Sequence, residues 1–223
     1  MIKITPLYEY KKLTRIEGPK RLYATPDGNR VPSVTTILSA TADKTFLNEW
    51  KKRVGEAEAQ RISTESAGLG TLVHKHVENF IEGVDRPPGS TPIHVLAREM
   101  SDLIINQGLA KVTEIWGMEA SLFYPELYAG TTDLVGVYDG VPSIMDHKTA
   151  KKMKKPEWME DYFIQTTAYA MAHNEVHGTA IKQGVLFMAD REGNYQTFII
   201  KDAEFEHYST KWLQRVEQYY KLN

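Results

Sequence analysis

The sequence between Tyr128 and Lys148 reads Tyr128-Ala-Gly-Thr-Thr-Asp-Leu-Val-Gly-Val-Tyr138, then Asp139-Gly140, then Val141-Pro-Ser-Ile-Met-Asp-His-Lys148. An Asp-Gly pair between two runs of β-forming residues is typical of a hairpin with a two-residue turn. If Tyr138 faces Val141, an unbroken ladder places Asp133 directly opposite Asp146. We therefore predict a hairpin that holds two carboxylates side by side.

The carboxylate face of this hairpin predicts a metal site. Side chains alternate between faces, so Lys148 shares the face of Asp133 and Asp146 and lies opposite Thr131. Like charges held opposite each other destabilise a sheet unless they are compensated, and magnesium takes carboxylate oxygens as ligands. The alternative is an exposed hairpin with scattered charges. We favour the metal site because the same face continues into three apolar residues, Val135, Val137 and Ile144.

Composition narrows the class of protein. The 223 residues are 42% apolar and 25% charged, which is ordinary for one globular domain with a real core. The absence of cysteine excludes disulfides, cysteine-ligated zinc and an iron–sulfur cluster within this chain. A net charge of −2 means that a nucleic-acid partner has to meet a local basic patch.

The chain shows no apolar run of the ~18 residues that a membrane span needs, and its N-terminus lacks the design of a signal or transit peptide. We therefore expect no membrane partner. The expected location is the cytoplasm of a bacterium or of a phage-infected cell, and an organelle matrix stays open as an alternative. The sequence does not indicate protein partners.

The sequence predicts a single domain over residues 1–223 in three parts. Residues 1–110 form an N-terminal ribbon and helices, 111–201 a sheet core, and 202–223 a C-terminal helix. In the first part we predict two strands and three helices, over Leu7–Ile16, Lys20–Ala24, Asp43–Glu65, Leu69–Ile81 and Ile93–Asn106. Ser33 is predicted to cap a further helix.

The sheet core is predicted to contain five strands and one long helix. The strands cover Val112–Phe123, Tyr128–Tyr138, Val141–Lys148, Thr179–Ala189 and Tyr195–Lys201, and the helix covers Pro156–Glu175. Asp202 is predicted to cap the last helix. This order of elements predicts an α/β fold with a central mixed sheet and helices on its faces.

Three features elsewhere are candidates to join the hairpin site. His74 and Glu78 are neighbours on one helical face, and a satisfied core histidine is the alternative for His74. Glu119 lies on the strand before the hairpin, where an ordinary strand glutamate is the favoured interpretation. Gln165 and Tyr169 share one face of the helix that follows, where a tyrosine packed on the sheet is the alternative.

Four motifs therefore occur in order: Gly70-Thr-x-x-His74, Gly130-Thr-Thr-Asp133, Ile144-Met-Asp146-His-Lys148 and Gln165-x-x-x-Tyr169. Together they resemble the PD-(D/E)xK nuclease superfamily and, within it, the RecB-type exonuclease branch. Val31-Pro-Ser-Val-Thr-Thr-Ile-Leu38 and Leu47-x-x-Trp50 are also similar to the mitochondrial genome maintenance exonucleases and their phage and bacterial relatives. The resemblance spans about residues 30–200. It implies a restriction-endonuclease-like αβββαβ core and metal-dependent hydrolysis of DNA.

The resemblance also implies roles for individual residues. His74, Asp133 and Asp146 would ligate one or two Mg²⁺ or Mn²⁺ ions, with the backbone carbonyl of Met145 or His147 as a further ligand. The catalytic residues would be Asp133, Asp146 and Lys148. Residues that would shape the site or contact DNA are Gln165, Tyr169, Thr131, Ser33 and Thr35. This chain has Asp146 where many relatives have glutamate, and it lacks the cysteines of relatives that carry an iron–sulfur cluster.

Two basic segments are candidates for DNA contact. One is the lysine cluster Lys148, Lys151, Lys152, Lys154 and Lys155, and a solvated loop is its alternative interpretation. The weaker candidate is Lys51, Lys52 and Arg53, near Trp50. Aromatic side chains can stack on unpaired bases, but for Trp50, Trp116 and Trp158 a place in the core is at least as well favoured.

The sequence thus predicts a metal-dependent exonuclease that acts on single-stranded DNA or DNA ends in repair, recombination or phage DNA processing. One alternative is a structure-selective or nicking endonuclease on the same fold. An alternative of another class is a non-catalytic DNA-binding or assembly module.

Overall fold

The computed structural model describes residues 2–18, 22–87 and 89–222. The helices are α1 (Val34–Thr41), α2 (Thr45–Val54), α3 (Glu56–Glu82), α4 (Pro92–Leu103), α5 (Glu160–His177) and α6 (Asp202–Lys221). The strands are β1 (Lys3–Ile4), β2 (Thr14–Ile16), β3 (Leu22–Ala24), β4 (Arg30–Pro32), β5 (Val112–Tyr124), β6 (Tyr128–Tyr138), β7 (Val141–Ala150), β8 (Gly184–Asp190) and β9 (Tyr195–Ile200). A short π-helix follows α4 at Ile104–Gly108, and short 3₁₀-helices cover Leu109–Lys111 and Pro156–Trp158.

The described strands form two sheets. The larger one has the order β1-β5-β6-β7-β8-β9 and is mixed, because the β1/β5 and β7/β8 pairs are parallel and the others antiparallel. The smaller one is the antiparallel ribbon β2-β3-β4. From α4 to β8 the order is αβββαβ, so the predicted fold class is confirmed. The single-domain organisation stays a prediction.

The central sheet is buried on both faces, since alternate residues of its strands enter two different cores. Leu134 and Met145 pack with α3 and α4 on one face. Val135 and Ile144 pack with α1, α5 and α6 on the other. Side chains on α3 and α5 therefore reach the central strands from opposite sides.

The hairpin prediction is confirmed in its turn and in its register as far as the pair Leu134–Met145. The predicted pairs Asp133–Asp146 and Thr131–Lys148 do not form, because β6 and β7 separate beyond that point. Asp139 and Gly140 form the turn with φ of 51° and 80°, the left-handed pair that a two-residue turn requires. The ladder runs from Tyr138 opposite Val141 to Leu134 opposite Met145 without a bulge. Asp133 and Asp146 are the next residues beyond its last paired position.

The predicted helix boundary near residue 67 is wrong. The chain breaks instead at Gly55, whose φ of 88° interrupts the helix, and α3 then runs for 27 residues through Gly68 and Gly70. At Gly70 a Cβ atom would lie 3.6 Å from Oγ1 of Thr149 on β7, which is an ordinary van der Waals contact. Helix α2 buries none of its residues and exposes 76% of Phe46.

The predicted strand Leu7–Ile16 is wrong over residues 7–13, because only Thr14–Ile16 pairs. The rings of Tyr8 and Tyr10 pack instead against His173 on α5, with ring centroids 4.9 and 5.8 Å away. Lys20 and Arg21 of the second predicted strand lie outside the described residues, and its remainder is β3.

Three predicted element starts also need correction. Thr179–Gln183 precedes β8 as irregular backbone, since the side chain of Asn174 accepts from the Ile181 N–H and donates to its carbonyl. Asp202 has a φ of 50° and is the first residue of α6, whose N-cap is Lys201. A 3₁₀ turn precedes α5. Across the described residues, no helix combines the length and apolar content that crossing a membrane requires.

Candidate active site

The candidate site lies where β6 and β7 separate. Beyond Leu134 and Met145 the two strands are no longer paired, and β7 continues in parallel with β8. The His147 N–H, freed from the ladder, donates to Oδ2 of Asp133 across 2.6 Å. Asp133 is thus fixed by the backbone of the neighbouring strand.

His74 enters this gap from α3. Its Nδ1 lies 3.3 Å from Oδ1 of Asp133, and its Nε2 lies 3.0 Å from the carbonyl oxygen of His147. A carbonyl only accepts hydrogen bonds, so Nε2 carries the hydrogen and donates it. This bond leaves Nδ1 as the nitrogen that faces the carboxylate.

Glu119 completes a group of three ligand-bearing side chains. One ligand atom each from His74, Glu119 and Asp133 lies within 4.8 Å of the others. Glu119 sits on β5 between the pairs Met118–Leu134 and Ala120–Thr132, and its φ of 48° is left-handed. Such strain in a non-glycine residue is uncommon and gathers at functional sites.

Asp146 and Lys148 form an ion pair beside this group, and both side chains are largely buried. Nζ of Lys148 also donates to Oε1 of Gln165 across 2.8 Å, and Nε2 of Gln165 donates to the Tyr169 hydroxyl across 3.3 Å. The predicted residues Asp146, Lys148, Gln165 and Tyr169 therefore form one connected chain of contacts from β7 to α5.

The absence of a side chain at Gly130 leaves room for the ring of Tyr169 against β6. A Cβ atom at position 130 would lie 2.7 Å from Cε1 of Tyr169, which is too close for any real contact. The buried tyrosine ring therefore rests on the bare backbone of β6, three residues before Asp133. Burial also raises the pKa of Tyr169 far above its usual value, which keeps its hydroxyl protonated.

Burial and neighbouring charges shift the pKa of the carboxyl groups. Partial burial of its carboxylate, with the charges of Asp133 and Glu78, raises the pKa of Glu119 to about 7, although the residue as a whole is exposed. Burial and the charge of Asp133 also raise the pKa of Asp146. Burial opposes ionisation of Asp133 as well, but the neighbouring His74 outweighs it and lowers the pKa of that carboxyl.

For the two basic groups, burial and the neighbouring carboxylates shift the pKa in opposite directions. Burial lowers the pKa of His74, but the charge of Asp133 and the bond to it prevail and raise the pKa to about 9. Burial likewise lowers the pKa of Lys148, and the charges of Asp146 and Asp133 prevail and raise it. Without a cation, both His74 and Lys148 are protonated near pH 7.

Of the other predicted site residues, Glu78 lines the same cleft, whereas Thr131, Lys151 and Lys152 lie elsewhere. Glu78, four residues after His74, lines the same small cleft and pairs with Lys75 at 3.0 Å. Thr131 is half-buried and pairs with Ser121 on the neighbouring strand β5. Lys151 and Lys152 are exposed, and Lys152 lies 3.1 Å from Glu192.

Ser33 caps α1 as predicted, since its Oγ accepts from the Thr36 N–H at 2.9 Å. Its Oγ also lies 3.0 Å from Oγ1 of Thr35, and its backbone bridges to Ala129 next to Gly130. The capping role accounts for Ser33, and a role of Ser33 or Thr35 in DNA contact stays a prediction.

The sequence patterns did not assign two side chains to the site, those of Glu119 and His147. Glu119 was interpreted as an ordinary strand residue, because an alternating pattern does not reveal a left-handed φ. The imidazole of His147 was not considered, yet it is buried, stacks on Phe187 with ring centroids 5.7 Å apart, and lies 5.6 Å from the His74 ring. Burial lowers the pKa of His147 to about 4, so the ring is neutral.

Comparison with known sequences finds proteins related to this chain. The chain is 27% identical over 213 residues to "Mitochondrial genome maintenance exonuclease 1" of Homo sapiens, covering 86% of this chain and 58% of that protein. It is 27% identical over 211 residues to the Xenopus tropicalis protein of the same name, with the same coverage. The resemblance predicted from the motifs is confirmed. The chain spans less than two thirds of the length of these relatives, and no protein-family model matches it.

Structural likenesses are more distant. A candidate exonuclease from Eubacterium rectale aligns at 17% identity with a TM-score of 0.47, over 67% of this chain and 64% of that one. A phage-related exonuclease from Haemophilus somnus 129PT aligns at 14% identity with a TM-score of 0.36, over 68% and 80%. Likenesses this distant carry no argument about the present chain.

Proposed function

We propose that this protein is a divalent-metal-dependent DNA exonuclease that hydrolyses phosphodiester bonds of single strands or DNA ends, in repair, recombination or phage DNA processing. The observation that carries the proposal is the convergence of His74, Glu119 and Asp133 on one point beside the Asp146–Lys148 pair. Similarity to curated exonucleases over 86% of the chain supports the same reaction class.

The donor set fits Mg²⁺ or Mn²⁺, bound as one or two ions. Carboxylate oxygens suit both metals, and an imidazole nitrogen is better tolerated by manganese. Burial and the neighbouring carboxylates raise the pKa of Glu119, and a cation between the carboxylates would offset their repulsion. The residues that would hold it are His74, Glu119, Asp133 and Asp146, with the His147 carbonyl as the further predicted ligand. When bound, such ions lower the pKa of the attacking water and neutralise charge on the phosphate.

In this proposal Lys148 acts as a positive charge, because its side chain is protonated at neutral pH. The neighbouring carboxylates raise the pKa of Lys148, so at neutral pH it is a donor and a positive charge. It can stabilise the negative charge that develops on the phosphate and the leaving oxygen, in a partly buried setting where charges interact strongly. Gln165 fixes the ammonium group, and Tyr169 fixes Gln165.

The test is a digestion of four labelled substrates with Mg²⁺, with Mn²⁺ and with EDTA, in which the linear substrates carry the label at an end and the circle carries it internally. The substrates are a 5′-labelled single strand, a 3′-labelled single strand, a linear duplex and a closed single-stranded circle. The proposal expects metal-dependent release of label from linear strands and an intact circle. Cleavage of the circle would indicate an endonuclease, and DNA binding without any cleavage would indicate a non-catalytic module.

A further inference from the structure

We infer that Trp158 is a base-stacking platform for an unpaired nucleotide of the substrate strand, beside the candidate active site. This inference rests on the proposed function and adds a substrate-positioning residue to it. Trp158 is 63% exposed, so the core does not explain this side chain. The Lys155 ammonium lies 5.6 Å from the centre of its ring, which places a positive charge next to an open aromatic face.

The surface between Trp158 and the active site carries further positive charge. Tyr162 lies on α5, and the ammonium groups of Lys148 and Lys154 lie 4.9 and 4.5 Å from its ring centre. Lys154 also donates to the Tyr162 hydroxyl across 2.9 Å. Lys148 is the residue paired with Asp146, so one tyrosine ring joins the candidate catalytic lysine to the lysine-rich loop 151–155.

The loop is held in a fixed place by a buried acid. Asp190, which is 1% exposed, accepts from the Met153 N–H at 2.8 Å, in the middle of the lysine-rich loop. The Arg191 N–H donates to the Ala150 carbonyl at 3.1 Å. The backbone that carries Lys151, Lys152 and Lys154 is therefore anchored to the end of β8 before any ligand arrives.

The acidic groups around this surface offset only part of its charge, since Glu192 lies 3.1 Å from Lys152. Glu160 is paired with Lys211, and Asp161 lies 3.4 Å from Arg215. Glu157 is exposed beside the tryptophan and is the remaining acid of this segment.

An exposed indole within a cluster of lysines fits an unpaired nucleotide. The ring offers a surface to any base, since every base has a π-face, and the lysines offer charge to the phosphates. In a duplex the base faces are already stacked on one another. The occupant is therefore a single strand, and the platform favours unpaired over paired ends.

The experiment measures binding of fluorescent 12-mer single strands in EDTA, where cleavage is prevented. One series is intact, and another carries a single abasic nucleotide at each position in turn. The proteins are wild type, Trp158→Ala, Trp158→Phe and the control Leu213→Ala, which removes an apolar side chain that is 49% exposed on α6.

The inference predicts that one abasic position weakens binding to wild type by at least about fivefold, the lower end for one base–aromatic stack. Trp158→Ala should bind the intact strand about fivefold more weakly and no longer respond to that position. Trp158→Phe should restore part of the response, and Leu213→Ala should behave as wild type. Wild-type binding that is absent or indifferent to every abasic position overturns the inference, and so does an abasic response that persists in Trp158→Ala.

Parallel digestions with Mn²⁺ separate this inference from the proposed function. Cleavage by wild type without an abasic response refutes the platform and leaves the nuclease. An abasic response without cleavage refutes the nuclease and leaves the platform as part of a DNA-binding surface.

Discussion

Nδ1 of His74 lies 3.3 Å from Oδ1 of Asp133, although His74 belongs to α3 and Asp133 to β6. The hydrogen bond from Nε2 to the His147 carbonyl fixes the ring and its tautomer. Removing the proton from Nδ1 therefore leaves a lone pair directed at the carboxylates, where a cation would sit. In the proposed function, a proton and a metal ion would therefore compete for the same nitrogen.

The first prediction concerns this nitrogen. His74→Ala should abolish the stabilisation that Mn²⁺ gives to the folded protein, which for wild type is about 2.7 kcal/mol at a hundredfold excess over Kd. Thermal unfolding with and without Mn²⁺ measures the effect. The matched control is His76→Ala, two residues along the same helix, which should keep the metal response. An unchanged response in His74→Ala would remove His74 from the metal site.

The second prediction uses the left-handed backbone of Glu119. Glu119→Gly and Glu119→Ala both remove the carboxylate, so both should weaken metal binding and cleavage. Without metal, the glycine variant should be more stable than the alanine variant by about 1 kcal/mol, because only glycine adopts this φ without steric cost. Chemical denaturation of the two variants measures the difference. Equal stabilities would show that position 119 carries no such strain.

A third prediction concerns the contact between Gly130 and Tyr169. Gly130→Ala should destabilise the protein by about 1–3 kcal/mol, because the new methyl group displaces a buried ring. It should also lower kcat, since Tyr169 supports Gln165 and Gln165 supports Lys148. Gly140→Ala, at the hairpin turn, is the comparison, since it strains the backbone away from the site and should spare kcat per folded molecule. Normal activity and stability in Gly130→Ala would contradict the contact.

A fourth prediction concerns stability at low pH. Burial, with the nearby His177, lowers the pKa of His173 to about 4, and its ring is bonded to Tyr10 and Thr179. An unfolded histidine titrates near pH 6.5, so between about 4 and 6.5 the unfolded chain binds a proton that the folded chain does not. This contribution is complete above pH 6.5 and declines as the pH falls, by up to about 1.4 kcal/mol per pH unit.

His147 has a similarly lowered pKa of about 4 and adds to the same slope. The raised pKa values of Glu119 and Asp146 contribute a slope of the opposite sign, so the test is the difference between variant and wild type. Urea denaturation at several pH values should show for His173→Gln a slope that is smaller than that of wild type by up to about 1.4 kcal/mol per pH unit. His207→Gln, at an exposed histidine on α6, should retain it. An identical slope in His173→Gln and wild type would show that His173 is not buried in its neutral form.

Much of the fold and part of the site could be predicted from local sequence. The pair Asp139-Gly140 defines a turn type, the turn defines the register, and the register brings Asp133 and Asp146 to the end of one ladder. The lysine-rich loop and the helical pair Gln165 and Tyr169 follow from the same kind of counting.

The rest depended on contacts that local patterns do not encode. Gly55 rather than Gly68 breaks the helix, because Gly68 and Gly70 adopt helical angles within α3. The segment containing Tyr8 and Tyr10 resembled a strand, but its rings are held by histidines far along the chain. Glu119 joins the site through a backbone angle that no sequence pattern indicated.

The most direct test of the central claim is the rate at which Asp146→Asn degrades a linear single strand in Mn²⁺. This change removes one buried negative charge and keeps the volume of the side chain. The control Asp139→Asn makes the same change at the turn of the same hairpin, where Asp139 is paired with Lys111 on the surface. We predict a loss of roughly a thousandfold in kcat for Asp146→Asn, with DNA binding retained, and wild-type rates for Asp139→Asn. Wild-type cleavage by Asp146→Asn would contradict the proposed active site.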